Sequence, residues 1–246
     1  MVDGPGRRWR DWFFRSSCIV CRGSTTTAIC SDCRRSLPWL RSACIRCAAP
    51  LPGRPTASEC GACQTHPPTF DLALAAFAYT APVDHLIHGL KYAHRLANAP
   101  ILADLLGERI AAIDATTIDC LIPMPLHPAR LRQRGFNQAL EIARPIARAL
   151  GIRLDYQIAT RTRDTPAQVG HDLRDRRRNV RNAFAVGGDL TGAHVAILDD
   201  VLTSGATAGS LATALRKAGA KQVSVWVCAR ASGDRGFPFG PGTEAR

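Results

Sequence analysis

The stretch V-A-I-L-D-D-V-L-T-S-G-A-T, which runs from Val195 to Thr207, decides the fold of this 246-residue chain. Its first four residues are apolar without alternation, a pattern typical of a strand buried on both faces of a parallel sheet. We therefore expect an α/β protein, in which ligands bind beyond the carboxyl ends of the strands. Asp199 and Asp200 fall at that end of the predicted strand.

A short loop of small and hydroxyl residues follows the two acids and leads into an Ala-rich segment with helical spacing. The loop from Thr203 to Thr207 can wrap a phosphate with N–H groups and hydroxyls, and Gly205 lets the backbone approach closely. Carboxylates suit the vicinal hydroxyls of a sugar, so the stretch predicts a clamp for ribose 5-phosphate. The alternative is an ordinary strand–loop–helix unit, in which two adjacent acids at a buried strand end would cost free energy. A Walker-type site is not indicated, because the chain has no G-x-x-x-x-G-K-[ST] motif.

The composition is that of a globular, basic protein. The chain is 46% hydrophobic and 21% charged, and 32 Lys and Arg against 20 Asp and Glu give a net charge of +12. This charge suits nucleic acid or a small phosphorylated substrate and does not distinguish them. No apolar run approaches the roughly 18 residues of a membrane span. The N-terminal residues lack the apolar core of a secretory signal, so we expect a cytoplasmic protein with reduced cysteines.

Eight of the ten cysteines form four C-x-x-C pairs: Cys18 and Cys21, Cys30 and Cys33, Cys44 and Cys47, Cys60 and Cys63. Four thiolates close a tetrahedral zinc site and leave no open position, so the eight predict two structural Zn²⁺ ions. Sequential pairing, with one ion for the first four cysteines and one for the last four, is favoured over a cross-braced arrangement. Four disulfides would require an oxidising compartment. The segment would serve as a structural cap, or it would bind nucleic acid or a partner protein.

A break at T-H-P-P-T, near residues 64–69, separates this segment from the rest of the chain. A strand over 72–78 and a helix starting near Pro82 are predicted next, with His85, His88 and Lys91 as surface or substrate-pocket residues. A helix over 97–113 and a strand over 119–123 follow. We predict that the arginines before Gly135, which are Arg130, Arg132 and Arg134, lie in a loop that receives a pyrophosphate. The next helix is expected to begin at Phe136 or Asn137, to kink at Pro145 and to end at Gly151.

The remaining segments complete the predicted sheet. We expect a strand over 154–159, a mobile flap over 161–171, an arginine-rich face over 174–181, a helix over 207–218 and a strand over 222–228. Cys120 and Cys228 lie in apolar runs and are predicted core residues. The domain boundaries that follow are a lead-in at 1–17, a double zinc ribbon at 18–66, a phosphate-binding α/β domain at 67–232 and a disordered tail at 233–246.

Four motifs occur in order: the C-x-x-C array, L-I-H-G-L-K-Y at 86–92, R-G-F-N-Q at 134–138, and the segment from Arg161 to Phe184 before the acidic pair. With the thirteen-residue clamp, which itself resembles the signature of type I phosphoribosyltransferases, they resemble the ComF family, including its GntX-type members. The resemblance implies a double zinc ribbon followed by a type I phosphoribosyltransferase fold, a Rossmann-like parallel sheet flanked by helices. It also implies a link to natural transformation, in which members handle incoming single-stranded DNA.

The resemblance assigns roles to residues of this chain. It places ribose hydroxyl binding, and with it the catalytic role, at Asp199 and Asp200, and pyrophosphate contact at Arg130 and Arg134. It places 5-phosphate binding at Thr203, Ser204, Gly205, Ala206 and Thr207. The expected ligand is phosphoribosyl pyrophosphate (PRPP) with Mg²⁺, and the expected reaction is displacement at C1 of the ribose. The alternatives are a non-enzymatic protein that handles single-stranded DNA and a docking module that binds DNA-uptake proteins through the ribbons.

Overall fold

The computed structural model describes residues 16–53, 58–113, 115–163 and 183–231. The cysteine-rich segment contains little regular structure, because short loops between paired cysteines leave no room for longer elements. Its elements are β1 (Ser16–Ser17), β2 (Ser24–Thr25), α1 (Ser31–Ser36) and α2 (Gly61–Thr65). Each of the two helices begins directly after a cysteine, Cys30 or Cys60, that opens a C-x-x-C pair.

The rest of the chain alternates strands and helices. In chain order its elements are β3 (Leu72–Ala78), α3 (Val83–Tyr92), α4 (Asn98–Ile110), a 3₁₀ turn (Ala115–Thr117), β4 (Cys120–Pro123), α5 (Pro128–Arg134), α6 (Gln138–Leu150), β5 (Arg153–Leu154), β6 (Ala159–Arg161), β7 (Phe184–Val186), β8 (His194–Leu202), α7 (Ala206–Lys217) and β9 (Gln222–Arg230).

Five strands form one parallel sheet in the order β3-β9-β8-β4-β5. The central strands β8 and β9 are apolar without alternation, and their middle residues are buried, as expected for strands covered on both faces. Helix α4 packs against α6, β3 and β9, whereas α7 packs against β7, β8 and β9. Cys120 and Cys228 are buried, as predicted. The predicted α/β fold class is therefore confirmed.

Strand β8 is longer than the apolar run predicts. It continues to Leu202 because β9 also continues, to Arg230, and the two strands pair through their last residues. Asp199 and Asp200 consequently lie within the strand and not beyond its end. Consecutive strand residues start on opposite faces of a sheet, yet these two side chains remain close enough to hydrogen-bond each other.

The prediction that Arg130 and Arg134 lie in a loop is wrong. Residues 128–134 form the short helix α5, which begins with Pro128 and ends at Gly135, whose φ is +80°. Proline at the first helical position and glycine just past the end are the signals of a helix that the sequence analysis overlooked. The following helix α6 starts at Gln138, one residue after the predicted position, because the Asn137 Oδ1 accepts the Ala139 amide at 3.0 Å and caps the helix. It runs without interruption through Pro145.

The prediction of one strand over 154–159 is also wrong. Strand β5 ends at Leu154, and the Asp155 Oδ1 accepts the amides of Gln157 and Ile158 at 3.1 and 2.9 Å. This Asx-type turn redirects the chain, so that β6 pairs antiparallel with β7 instead of joining the main sheet. The pair β6–β7 brackets residues 164–182.

The cysteine-rich segment attaches to the free edge of the sheet at β3. The Leu40 amide donates to the Ala76 carbonyl at 2.8 Å, and the Ala78 amide donates to the Pro38 carbonyl at 2.9 Å. Residues 38–40 thereby lie antiparallel to β3, with the Trp39 ring 4.5 Å from that of Phe77. The edge strand is covered, which removes a site of unwanted strand pairing.

Several predictions fall wholly or mostly outside the described residues. They are the lead-in at 1–17 except for its last two residues, the flap at 161–171 beyond residue 163, the arginine-rich face over 174–181 and the tail at 233–246. Over the part of the chain that is described, no helix combines the length and apolar character needed to cross a membrane.

Candidate functional site

The eight paired cysteines form two clusters in the sequential grouping. One contains Cys18, Cys21, Cys30 and Cys33, and the other contains Cys44, Cys47, Cys60 and Cys63. Within each cluster all four sulfurs lie within 4.8 Å of one another, and the Cys21–Cys30 and Cys47–Cys60 sulfur distances are 3.8 and 3.7 Å. A tetrahedral ion with Zn–S bonds of about 2.3 Å separates its sulfurs by about 3.8 Å. Both clusters therefore fit structural zinc.

The two clusters repeat one local geometry. The Cys18 amide donates to the Gly23 carbonyl and the Cys44 amide to the Ala49 carbonyl, both at 2.8 Å. The amides of Cys30 and Cys60 donate to the Sγ atoms of Cys18 and Cys44, at 3.4 and 3.2 Å. Burial raises the pKa of the Cys18 thiol, but backbone amides aimed at its sulfur lower the pKa to about 6. Such amides stabilise the thiolate that a metal needs.

The acidic pair has two different environments. Asp200 is 3% exposed, and its Oδ2 lies 2.5 Å from the Lys91 Nζ, whereas Asp199 is half-buried. Burial alone would raise the pKa of Asp200, but the Lys91 ammonium holds that pKa below its ordinary value. Burial and the adjacent Asp200 charge raise the pKa of Asp199 well above its ordinary value. One carboxylate is thus neutralised by an ion pair and the other favours a proton.

Lys91 belongs to this candidate site, whereas the sequence analysis named it with His85 and His88 as a surface or substrate-pocket residue and gave it no role beside the acids. The signal was present: Lys91 follows the fully buried Ile87 by four residues and shares its face of α3. Its own pKa is lowered by burial and raised by Asp200, with a net increase. Helix α3 therefore delivers a cation directly to the acidic pair.

Helix α3 also reaches the arginines. The Arg134 guanidinium lies over the Tyr92 ring, 5.6 Å from its centroid, and its Nη1 donates to the Gln138 Oε1. Tyr92, next to Lys91, is 60% exposed. Arg130 lies one helical turn before Arg134 on α5. The structure thus connects the R-G-F-N-Q motif to the acidic pair through two consecutive residues of α3.

The loop after β8 carries backbone N–H groups that have no acceptor among the described residues. Gly205 has a φ of +75° and immediately precedes α7, and Thr203 and Ser204 are exposed. Within the described ranges, no acceptor receives the amides of Thr203, Ser204 or Gly205. Ala206 and Thr207 form the first turn of α7, whose positive end faces the same loop. We name residues 203–207 the phosphate loop.

Comparison with known proteins identifies two domains. The family model of a double zinc ribbon domain matches residues 9–64, and that of a phosphoribosyl transferase domain matches residues 137–238. A solved purine phosphoribosyltransferase from Pyrococcus horikoshii aligns with 60% of this chain and 93% of its own, at 16% identity and a TM-score of 0.35. The family is assigned from the sequence relatives.

Two kinds of relative cover nearly the whole chain. DNA utilization protein YhgH of Escherichia coli strain K12 is 34% identical over 87% of this chain and 96% of its own length. Competence protein F of Haemophilus influenzae is 32% identical over 89% of this chain and 99% of its own. The order of zinc ribbons and transferase fold agrees with both family models. This chain therefore belongs to the ComF family of competence and DNA utilization proteins, with a double zinc ribbon ahead of a phosphoribosyltransferase fold.

Proposed function

We propose that this chain binds PRPP with Mg²⁺ at the carboxyl edge of its parallel sheet and serves DNA uptake or utilization. The observation that carries the proposal is the junction of β8 with the phosphate loop. There, a buried carboxylate paired with Lys91 lies three residues before the first of three consecutive amides that have no acceptor among the described residues. Carboxylates beside free amides suit a ligand that carries both hydroxyls and a phosphate.

Each part of the site has a distinct role in this proposal. Asp199 and Asp200 accept hydrogen bonds from the ribose hydroxyls, and residues 203–207 donate N–H and hydroxyl groups to the 5-phosphate. Arg134, with Arg130 one turn away, stabilises the charge on the pyrophosphate. Mg²⁺ would be held with the ligand beside these residues and would supply charge that neutralises the pyrophosphate. Lys91 keeps Asp200 ionised in a buried place, so that it stays an acceptor.

Calorimetry with PRPP and Mg²⁺ tests the proposal. We expect heat of binding with the wild type and none with the Asp199→Asn, Asp200→Asn double variant. A double variant that replaces the same number of carboxyl groups at exposed positions, Asp32→Asn with Asp189→Asn, should bind as the wild type does. Absence of heat with the wild type, or equal binding by both double variants, would contradict the clamp.

The reaction class is proposed to be displacement at C1 of the ribose with release of pyrophosphate. We propose that an acceptor would lie along the segment from Tyr79 to Tyr92, because both tyrosines are exposed and this segment contains Lys91, which pairs with Asp200. Screening nucleobases and amines for pyrophosphate release, with the double clamp variant as the blank, would identify the acceptor. No release with any acceptor, while calorimetry still detects PRPP, would favour PRPP as a regulatory ligand.

A second candidate function is non-enzymatic handling of single-stranded DNA. The net charge of +12 favours it, as do the names of the relatives. Binding to a single-stranded oligonucleotide should weaken steeply as salt rises. If the clamp double variant binds the oligonucleotide as well as the wild type does, the DNA and PRPP sites are separate.

Docking of DNA-uptake proteins through the ribbons would instead require residues 1–66, and variants of the clamp would then function normally. Thiolate zinc sites require a reducing compartment, so we place these activities in the cytoplasm.

A further inference from the structure

Arg230, the last residue of β9, joins the second zinc cluster to the phosphate loop. Its Nε donates to the carbonyl of Cys47 at 2.9 Å, and Cys47 is a member of that cluster. On its other side, Nη1 donates to the carbonyls of Leu202 and Thr203, at 3.0 and 2.6 Å. The Arg230 guanidinium therefore links two distant parts of the chain: Cys47 lies 183 residues before it in sequence, and Thr203 lies 27 residues before it.

The contacts on the loop side fix the direction of two peptide groups. In a trans peptide the carbonyl and the following N–H point in opposite directions. Because the Leu202 and Thr203 carbonyls face Arg230, the N–H groups of Thr203 and Ser204 must point away from it. These are two of the three amides that have no acceptor among the described residues. If the Leu202 and Thr203 carbonyls faced away from Arg230, their oxygens would repel a phosphate bound at the loop.

The position of Arg230 is itself fixed by the sheet. The Tyr79 amide donates to the Arg230 carbonyl at 2.9 Å, and the Ala231 amide donates to the Leu202 carbonyl at 3.0 Å. On the ribbon side, the Ile45 carbonyl, within the same C-x-x-C turn as Cys47, accepts the Ala73 amide at 2.9 Å. The turn that would hold zinc is thus bonded both to β3 and to the residue that orients the loop.

We propose that Arg230 is a positioning residue through which the second zinc ribbon shapes the phosphate loop, so that metal loss at Cys44, Cys47, Cys60 and Cys63 weakens phosphate binding. The chemical argument is that zinc holds the Cys47 turn, the turn holds Arg230, and Arg230 holds the loop carbonyls. The ribbon then has a part in ligand binding besides covering the sheet edge. The ligand part of this inference rests on the proposed function, but the link between ribbon and loop does not.

Hydrogen exchange at the Gly209 amide, which donates to the Gly205 carbonyl of the phosphate loop at 2.8 Å, tests the link in the full-length, zinc-loaded protein without ligand. Arg230→Lys keeps the charge but loses the planar fork, so we expect the loop to loosen and the Gly209 amide to exchange faster. Arg34→Lys is the matched control, because Arg34 binds Asp104 and Glu108 on α4 and fastens the first ribbon away from the loop. Exchange at Gly209 should stay at the wild-type rate in that control.

Removing one zinc site at a time tests the role of the metal. Cys47→Ser should release one zinc per chain and speed exchange at Gly209, whereas Cys21→Ser should release one zinc and leave exchange at Gly209 unchanged. Unchanged loop exchange in both Arg230→Lys and Cys47→Ser would overturn the link. Equal acceleration by Cys47→Ser and Cys21→Ser would also overturn it, because loss of either ribbon would then act through general loosening.

Calorimetry with PRPP and Mg²⁺ completes the test. Coupling through such a contact is expected to lower affinity about tenfold in Arg230→Lys and not in Arg34→Lys. If the wild type binds no PRPP while loop exchange responds as expected, the proposed function fails and the ribbon–loop link stands. If the wild type binds PRPP and Arg230→Lys binds it equally well, the link to ligand binding is refuted.

Discussion

The ion pair of Lys91 with Asp200 makes a pH-dependent contribution to stability. Asp200 has a lowered pKa in the folded protein, so the pair stabilises above the unfolded carboxyl pKa of about 3.9 and is lost as pH falls through the folded value. Lys91→Met leaves a buried carboxylate without its partner, which costs about 3–5 kcal/mol at pH 7. Urea unfolding measures this loss.

Acidification should restore part of the stability that the Lys91→Met variant loses at pH 7. Without Lys91, burial raises the pKa of Asp200, so the variant gains a proton and recovers stability as pH falls from 7 towards 5. The wild type keeps its pair over that range, so the difference in unfolding free energy should shrink. Measurements in an Asp199→Asn background remove the second titrating carboxyl. A difference that stays constant with pH, or a Lys91→Met, Asp200→Asn double variant no more stable than Lys91→Met, would contradict the buried pair.

At the scale of elements, two glycines of neighbouring helices make opposite predictions. Gly135 ends α5 with a φ of +80°, and a side chain there meets no atom within 4 Å, so Gly135→Ala should lose about 1 kcal/mol from backbone strain alone. Gly107 lies inside α4 with equal space, so Gly107→Ala should gain up to about 1 kcal/mol. Thermal or urea unfolding compares them, and the same sign of change in both would contradict the assigned end of α5.

Elements with a strong signal within a few residues were predictable from the sequence. Bounds that depend on a neighbouring strand or on a particular side-chain hydrogen bond were not. The buried run of β8, the Asn137 start of α6 and the four C-x-x-C pairs each carry their signal within a few residues. The end of β8 depends on how far β9 runs beside it, and the break at Asp155 depends on a side chain bonding its own backbone. The short helix α5 was predictable, because Pro128 and Gly135 mark its ends.

The candidate site divides in the same way. The acidic pair and the phosphate loop are contiguous in sequence and were found as one motif. Lys91 lies more than one hundred residues before Asp200, and only its helical phase indicated a buried position. Arg230 follows an apolar run and carries no local signal, since its acceptors come from the ribbon and from the end of β8. Contacts between residues that are distant in sequence could be identified only from the structure, whereas the contiguous motif could be found in the sequence.

For the whole molecule, the ribbons serve as a cover for the edge of the sheet. Residues 38–40 pair with β3, a strand of sequence L-A-L-A-A-F-A, and the interior of a ribbon of this size depends on its metal. Chelation should therefore unfold the cover and expose a long apolar edge, which is a template for pairing between chains. We expect the protein to remain monodisperse with zinc and to self-associate when a strong chelator removes it.

Light scattering during chelation measures this association, and return of zinc before aggregates form should reverse it. Leu72→Lys supplies a matched variant, because Leu72 begins β3, is 40% exposed, and tolerates a charge in the folded protein. A lysine on an exposed edge opposes strand pairing, so this variant should lose zinc equally and associate less. If the wild type and Leu72→Lys associated equally, the surface that causes association would not be the edge at β3. Full loss of zinc without association would show that β3 stays covered by contacts independent of the metal, such as the ion pairs of Arg34 with α4.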